Sequence, residues 1–193
     1  MKDFPKDIRE AVPMFFRKPN ETEEPMFYGT LYLLRRDILT CLGTDPDTGQ
    51  VLEHKARWPA LMAILAGIDL LGKFVEGRGV EQGSSNLKFK GYLEGYLAVD
   101  SEEDRETLYQ LRCAVLHSFG WFSICSRTKR EYRFQLAGVN DVPLIQRTAD
   151  GQGRDVYIVA LGVLYESSRS RYRTTWTVSW RTMRCRQNSR MCF

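Results

Sequence analysis

The chain has 193 residues, enough for one domain, or one domain with a tail, to bury a core without disulfide staples. Its 43% hydrophobic and 27% charged residues are ordinary for a soluble globular protein, and no apolar run approaches the roughly 20 residues that cross a bilayer. The net charge of +4 hides an asymmetry: residues 167–193 hold seven arginines and no acid, which leaves residues 1–166 at −3.

Five cysteines, Cys41, Cys113, Cys125, Cys185 and Cys192, form no close C-x-x-C pair, and their number is odd. Reduced thiols fit this better than a disulfide framework. The opening MKDFPKDIRE mixes acids with bases and lacks the apolar stretch of a signal peptide, so a cytoplasmic location with no membrane partner is expected. With only His54 and His117 and scattered cysteines, neither a metal site nor another cofactor is expected.

Residues 1–25 hold four of the seven prolines among charges and read as an irregular lead-in. From Met26, Phe27, Leu31, Leu34, Ile38 and Leu42 recur at spacings of three and four, which predicts a helix that Gly43 ends. Asp45-Pro46-Asp47-Thr48-Gly49 is a turn cluster. A second helix, Arg57 to Phe74, is apolar nearly all round and should be deeply buried. Asp69 interrupts it, either as an acid on an exposed edge or as a buried carboxylate paired to a cation. Gly67 to Lys73 spells most of a P-loop, but Phe74 replaces the required hydroxyl and the segment is helical.

A loop over residues 77–85 leads to a third helix, Leu87 to Leu97, with Ser85 or Asn86 as its cap. Asp100-Ser101-Glu102-Glu103 marks the start of a fourth helix that continues to about Phe119. Residues 130–147 alternate in part and predict a small hairpin. After a loop at 148–153, Asp155 caps the apolar stretch VYIVALGVLY. Its β-branched content permits a strand, but Val156, Val159 and Val163 also suit a helix, which is the reading favoured here. The fold class expected is therefore mainly α: a four-helix bundle with a small β-hairpin and a C-terminal helix.

On the fourth helix, Leu108, Leu111, Val115, Phe119 and Phe122 fall on one apolar arc at about 100° per residue, and Arg112 lies inside it. An arginine in a core-facing stripe needs a carboxylate, a phosphate or a subunit interface. His117 follows at a five-residue offset, in the string R-C-A-V-L-H.

That string resembles the R-x-x-x-x-H motif of HEPN domains, four-helix proteins that often act as metal-independent ribonucleases, toxins or antiviral effectors. LYQLRCAVLHSFG and the preceding LAGIDLLGKF are similar to uncharacterised bacterial members, and the resemblance spans about Met26 to Phe122. It implies a HEPN-type helical domain over residues 26–166 and an endoribonuclease acting on RNA. It also implies catalytic Arg112 and His117, supported by Asp69, Tyr109, Cys113 and Ser118, with an antitoxin or defence partner as in toxin and defence systems. An imidazole titrating near pH 6.5 suits a base at the 2′-hydroxyl, and a guanidinium suits the developing phosphorane charge. Five residues set the two side chains about 140° apart on the helix. The family answers this with a two-fold composite site, so a homodimer through the fourth helix is expected. Many members carry a polar residue where this chain has Cys113. Some toxin members carry a tyrosine, modified by a partner enzyme, where this chain has Phe119. The residues alone also allow other readings: Arg112 pairs with a core acid such as Asp69 in a non-catalytic helical module, or Arg112 and His117 bind RNA without cutting it.

The composition breaks after Glu166. Residues 167–193 read either as a basic tail with Tyr172, Trp176 and Trp180 interleaved for stacking, or as a frameshifted end. Permitted codons in another frame give an acidic, amphipathic, helix-forming string. The frameshift reading predicts poor packing, with Trp176 and Trp180 exposed.

Overall fold

The structure, a computed structural model, describes residues 29–76, 85–137 and 143–168. The irregular segment expected over 1–25 lies outside these residues. So does the basic segment from 169 onward, with Trp176 and Trp180; only Ser167 and Ser168 of it are described. The chain divides into two compact units, Met1–Ala63 and Ile64–Phe193.

The first unit holds α1 (Thr30–Cys41) and the first turns of α2 (Arg57–Glu76). Leu31 and Ile38 are buried while Arg35, Arg36 and Asp37 face solvent, as the helical spacing requires. Gly43, at φ +83°, turns the chain out of α1 through a left-handed conformation that costs glycine least. The expected turn follows: Asp45 Oδ1 accepts the N–H groups of Asp47 at 2.9 Å and Thr48 at 2.7 Å. Hydrogen bonds from Thr48 and Asp47 hold the Asp45 carboxyl below its usual pKa.

The second unit carries the rest of α2, then α3 (Ser85–Leu97) and α4 (Glu102–Ser118). Ser101 caps α4, its hydroxyl accepting the Asp104 N–H at 3.3 Å, with Glu102, Glu103 and Asp104 in the first turn. Ile64, Leu65, Ile68 and Leu71 of α2, Phe89, Tyr92 and Leu93 of α3, and Leu108, Leu111 and Val115 of α4 are buried. Gly72 sets how closely α2 meets α3, because a Cβ there would lie 2.7 Å from the Lys88 carbonyl oxygen. No helix among the described residues is long and apolar enough to cross a membrane.

The mainly-α expectation is corrected after α4. Strands β1 (Phe122–Ile124), β2 (Glu131–Ala137), β3 (Ile145–Ala149) and β4 (Asp155–Ala160) form one mixed sheet in the order β1-β2-β4-β3. The unit is mixed α/β, not a helical bundle. The hairpin expected within 130–147 does not form between β2 and β3, because β4 lies between them. It is parallel to β2, with Phe134 opposite Tyr157, and antiparallel to β3, with Arg147 opposite Tyr157. Asp155 therefore opens a strand and does not cap a helix; helix begins only at residue 161 and runs to 168. The physical reason is that β4 is a central strand with Val156, Tyr157, Val159 and Ala160 all buried. A strand covered on both faces reads as a continuous apolar run, which periodicity cannot separate from a buried helix.

A charged cluster ties α3 to α4. Lys90 Nζ reaches Glu102 at 2.9 Å and also bonds Glu106. Arg105 Nη1 donates to the carbonyls of Val99 at 2.9 Å and Asp100 at 2.8 Å. The Lys90 bond holds Glu102 below its usual range. Burial pushes Glu106 up, but bonds from Lys90 and Gln110 outweigh it and leave that pKa lowered. Burial opposes the Lys90 charge too, and the two carboxylates leave its pKa raised. The carboxylates thus add stability that is present above about pH 4.5 and lost as pH falls through their folded values. Lys90 adds stability that is present below about pH 10.5 and lost as pH rises through its folded value. Lys90→Met strands Glu106 and should cost roughly 3 kcal/mol in urea unfolding at neutral pH. The deficit should shrink on acidification below about pH 4, where protonated carboxyls no longer need the cation. A deficit independent of pH would show that the cluster contributes only packing.

Candidate functional site

The site is built from the part of α2 after Ala63 and the C-terminal half of α4, both within the second unit. Arg112 sits on the buried face of α4 beside Leu108 and Leu111 and is only 8% exposed. A guanidinium cannot shed its proton at any ordinary pH, so burial forces it to find partners. Asp69 on α2 supplies one: Arg112 Nη2 donates to its Oδ2 at 3.1 Å. His117 supplies the other, with Arg112 Nη1 2.8 Å from its Nε2. Burial alone would lower the Arg112 pKa, but the Asp69 carboxylate outweighs it and leaves the pKa raised.

Because arginine carries only donors, the contact is a hydrogen bond in the tautomer whose Nε2 accepts and whose proton sits on Nδ1. His117 itself is exposed, one residue before α4 ends at Ser118. The pair therefore joins a buried, anchored cation to an imidazole at the protein surface.

The remaining expected residues divide. The Tyr109 ring centroid lies 5.9 Å from Arg112 Cζ, and Phe89 meets that ring edge-on at 6.0 Å, so the guanidinium has an aromatic wall on one side. Burial raises the Tyr109 pKa, and the adjacent Cys113 thiol adds to the rise. Cys113 is half-buried next to Arg112. Ser118 is exposed at the helix end, with no hydrogen bond to the Arg112 group. Asp69 takes the paired form of its two sequence readings. Lys73, one turn further along α2, was not anticipated; its Nζ lies 3.4 Å from Asp69 Oδ2 while 57% of its side chain stays exposed. The acid–base spacing Asp69-x-x-x-Lys73 was the available signal.

Two expectations are corrected. The separation of about 140° between Arg112 and His117 does not keep them apart, because the long arginine side chain reaches along the helix to the imidazole. One helix of one chain brings both groups together. Phe119 and Phe122 also leave the apolar arc: α4 ends before them, and both are exposed.

Tyr109 further lines a cleft of about 450 Å³ between α3, α4 and the turn at Cys125–Arg127. The cleft is walled by the Lys90, Glu102, Arg105 and Glu106 cluster, whose charges are paired with one another. Among the described residues no three His, Cys, Asp or Glu side chains are placed to hold a metal ion. Comparison with protein-family models, with curated proteins and with solved structures finds no match to this chain.

If Asp69 is the counter-charge that Arg112 requires, Arg112→Met should destabilise the fold by roughly 3 kcal/mol, since it leaves a mostly buried carboxylate with only the exposed Lys73. The double variant Asp69→Leu with Arg112→Met should recover much of that loss, because the buried charge disappears with its partner. Additive losses in denaturant unfolding would mean that the two side chains are not coupled.

Proposed function

We propose that this chain is a HEPN-like, metal-independent endoribonuclease acting on RNA, with His117 as general base and Arg112 as phosphate-holding cation. The observation that carries the reading is the 2.8 Å contact between Arg112 Nη1 and His117 Nε2, with the imidazole exposed and the guanidinium tethered from behind by Asp69. Cleavage of a ribose phosphodiester without a metal needs a proton acceptor at the 2′-hydroxyl and a positive charge at the phosphate oxygens. Both lie within one hydrogen bond of each other here.

The contact also supports an order of events. In the free protein the Nε2 lone pair is occupied by the Arg112 N–H. A phosphate oxygen arriving at Nη1 competes for that donor and releases the lone pair, so the base becomes available when the substrate is in place. Nε2 then takes the 2′-hydroxyl proton, the 2′ oxygen attacks phosphorus and the bond to the 5′ oxygen breaks. A 2′,3′-cyclic phosphate forms, the leaving 5′ oxygen takes a proton from water, and the imidazolium returns its proton to the resulting hydroxide. Asp69 keeps the arginine fork oriented throughout.

A second reading is favoured by the same Asp69 bond. A guanidinium already neutralised by a carboxylate 3.1 Å away suits a non-catalytic helical interaction or RNA-binding module, in which Arg112 is structural. Incubation of the full chain with a mixed RNA substrate separates the two. For the ribonuclease, His117→Ala and Arg112→Ala should each lower cleavage about 100-fold or more, with the fold of each checked by circular dichroism. Activity should persist in EDTA. Wild-type cleavage rates in folded His117→Ala, or no cleavage by the wild type, would leave the binding-module reading in its place.

A further inference from the structure

Two residues after His117 the chain does something costly. Phe119 adopts φ 48° and ψ 39°, a left-handed conformation that a bulky residue rarely takes and that glycine takes freely. It allows the Gly120 N–H to reach back to the Ala114 carbonyl at 3.0 Å. A glycine at 119 would close α4 more cheaply, yet the glycine stands one position later and a phenylalanine occupies the strained site. Burial does not compensate, because Phe119 is 70% exposed. Strain and exposure at one aromatic residue, two positions from the base, point to a ligand contact.

The surface continues beyond it. Phe122 and Ile124 are exposed and, two apart on β1, share a face of that edge strand. The rim is mixed in charge: the Arg133 guanidinium lies 4.9 Å from the Phe122 ring centroid and is paired with Glu131 at 2.6 Å. The turn after β1 presents Arg127 and Lys129, both exposed and without a salt bridge among the described residues. Aromatic rings flanked by cations suit a polyanion that offers flat bases, which is an unpaired nucleic acid strand. A second copy of this chain fits less well, since a two-fold contact through this strip would set the cations of one copy against those of the other.

We propose that Phe119 and Phe122, with Ile124 as an apolar contact beside them, form a stacking track for single-stranded RNA. Phe119 receives the base beside the phosphate held at Arg112 and His117, and Arg127 and Lys129 meet backbone phosphates further along. This rests on the ribonuclease reading and names its substrate as unpaired RNA. A base still paired in a duplex cannot lie flat on Phe119.

The test uses the full chain with a fluorescein-labelled oligouridylate and a duplex RNA of equal length, read by anisotropy, beside the variants Phe119→Gly and Phe119→Trp. The wild type should bind the single strand more tightly than the duplex. Phe119→Gly should weaken single-strand binding about tenfold or more, with Tm unchanged or up to roughly 4 °C higher because glycine relieves the strain. Phe119→Trp should keep the affinity. Wild-type affinity in Phe119→Gly overturns the track, as does a wild type that prefers the duplex. A marked fall in Tm on Phe119→Gly also overturns it, by making Phe119 structural. RNA cleavage by Phe119→Gly with unchanged KM rejects the track and leaves the ribonuclease standing, whereas a wild type that neither binds nor cuts RNA overturns both. Loss of a dimer in Phe119→Gly by light scattering, with RNA binding unchanged, assigns the strip to a second copy instead.

Discussion

A charge that cannot be lost by deprotonation, placed among Leu108, Leu111 and Val115 of α4, constrains everything around it. Burying the Arg112 guanidinium without partners would cost more than a small domain can supply, so α2 must present Asp69 to it and α4 must end with His117 in reach. The close seating of α2 on α3 at Gly72, three residues after Asp69, belongs to the same arrangement. Tyr109 closes another side with its ring face. The site and the second unit's helical core are therefore one structure, and the chemistry proposed for it inherits the rigidity of the packing.

The two ends of α4 are treated differently. Its first turns are locked by the Ser101 cap, by Lys90 between Glu102 and Glu106, and by Arg105 bonded to the carbonyls of the preceding loop. Those charges serve one another and leave little for a ligand. The last turn carries an exposed imidazole, a strained exposed phenylalanine and the start of the sheet. Ser123 on β1 donates to Gln110 Oε1 at 2.7 Å, which fastens the first strand to the middle of α4. Such a helix, fixed at its beginning and open at its end, holds Arg112 and His117 in register with each other.

The Arg112–His117 contact forms within one helix of one chain, although the two side chains leave that helix in different directions. For the proposed function Asp69 is double-edged: it would orient the guanidinium for a phosphate, and it offsets part of the charge that would attract one. The balance between these effects separates an enzyme from a binding module, and it is a matter of competition between one carboxylate and an incoming phosphate.

Much of the helical part was legible from local pattern. Apolar spacings of three and four located α1, α2 and α4 within a few residues, and Ser101 with its following acids marked the α4 start, because caps and amphipathic periodicity act between near neighbours. An arginine inside an apolar stripe identified Arg112 as a residue needing a partner, and Asp69 was the one acid inside the apolar second helix. The sheet was not legible. Whether Val156 to Ala160 is strand or helix depends on β2 and β3 flanking it, and strands paired across tens of residues leave no local periodicity when both faces are covered. The meeting of Arg112 and His117 was equally hidden, since angular position on a helix fixes where a side chain starts and not how far a long one reaches. Phe119 looked like a core residue for as long as the helix was extended through it. Its exposure follows from where the backbone turns left-handed, which depended on how α4 closes onto the first strand.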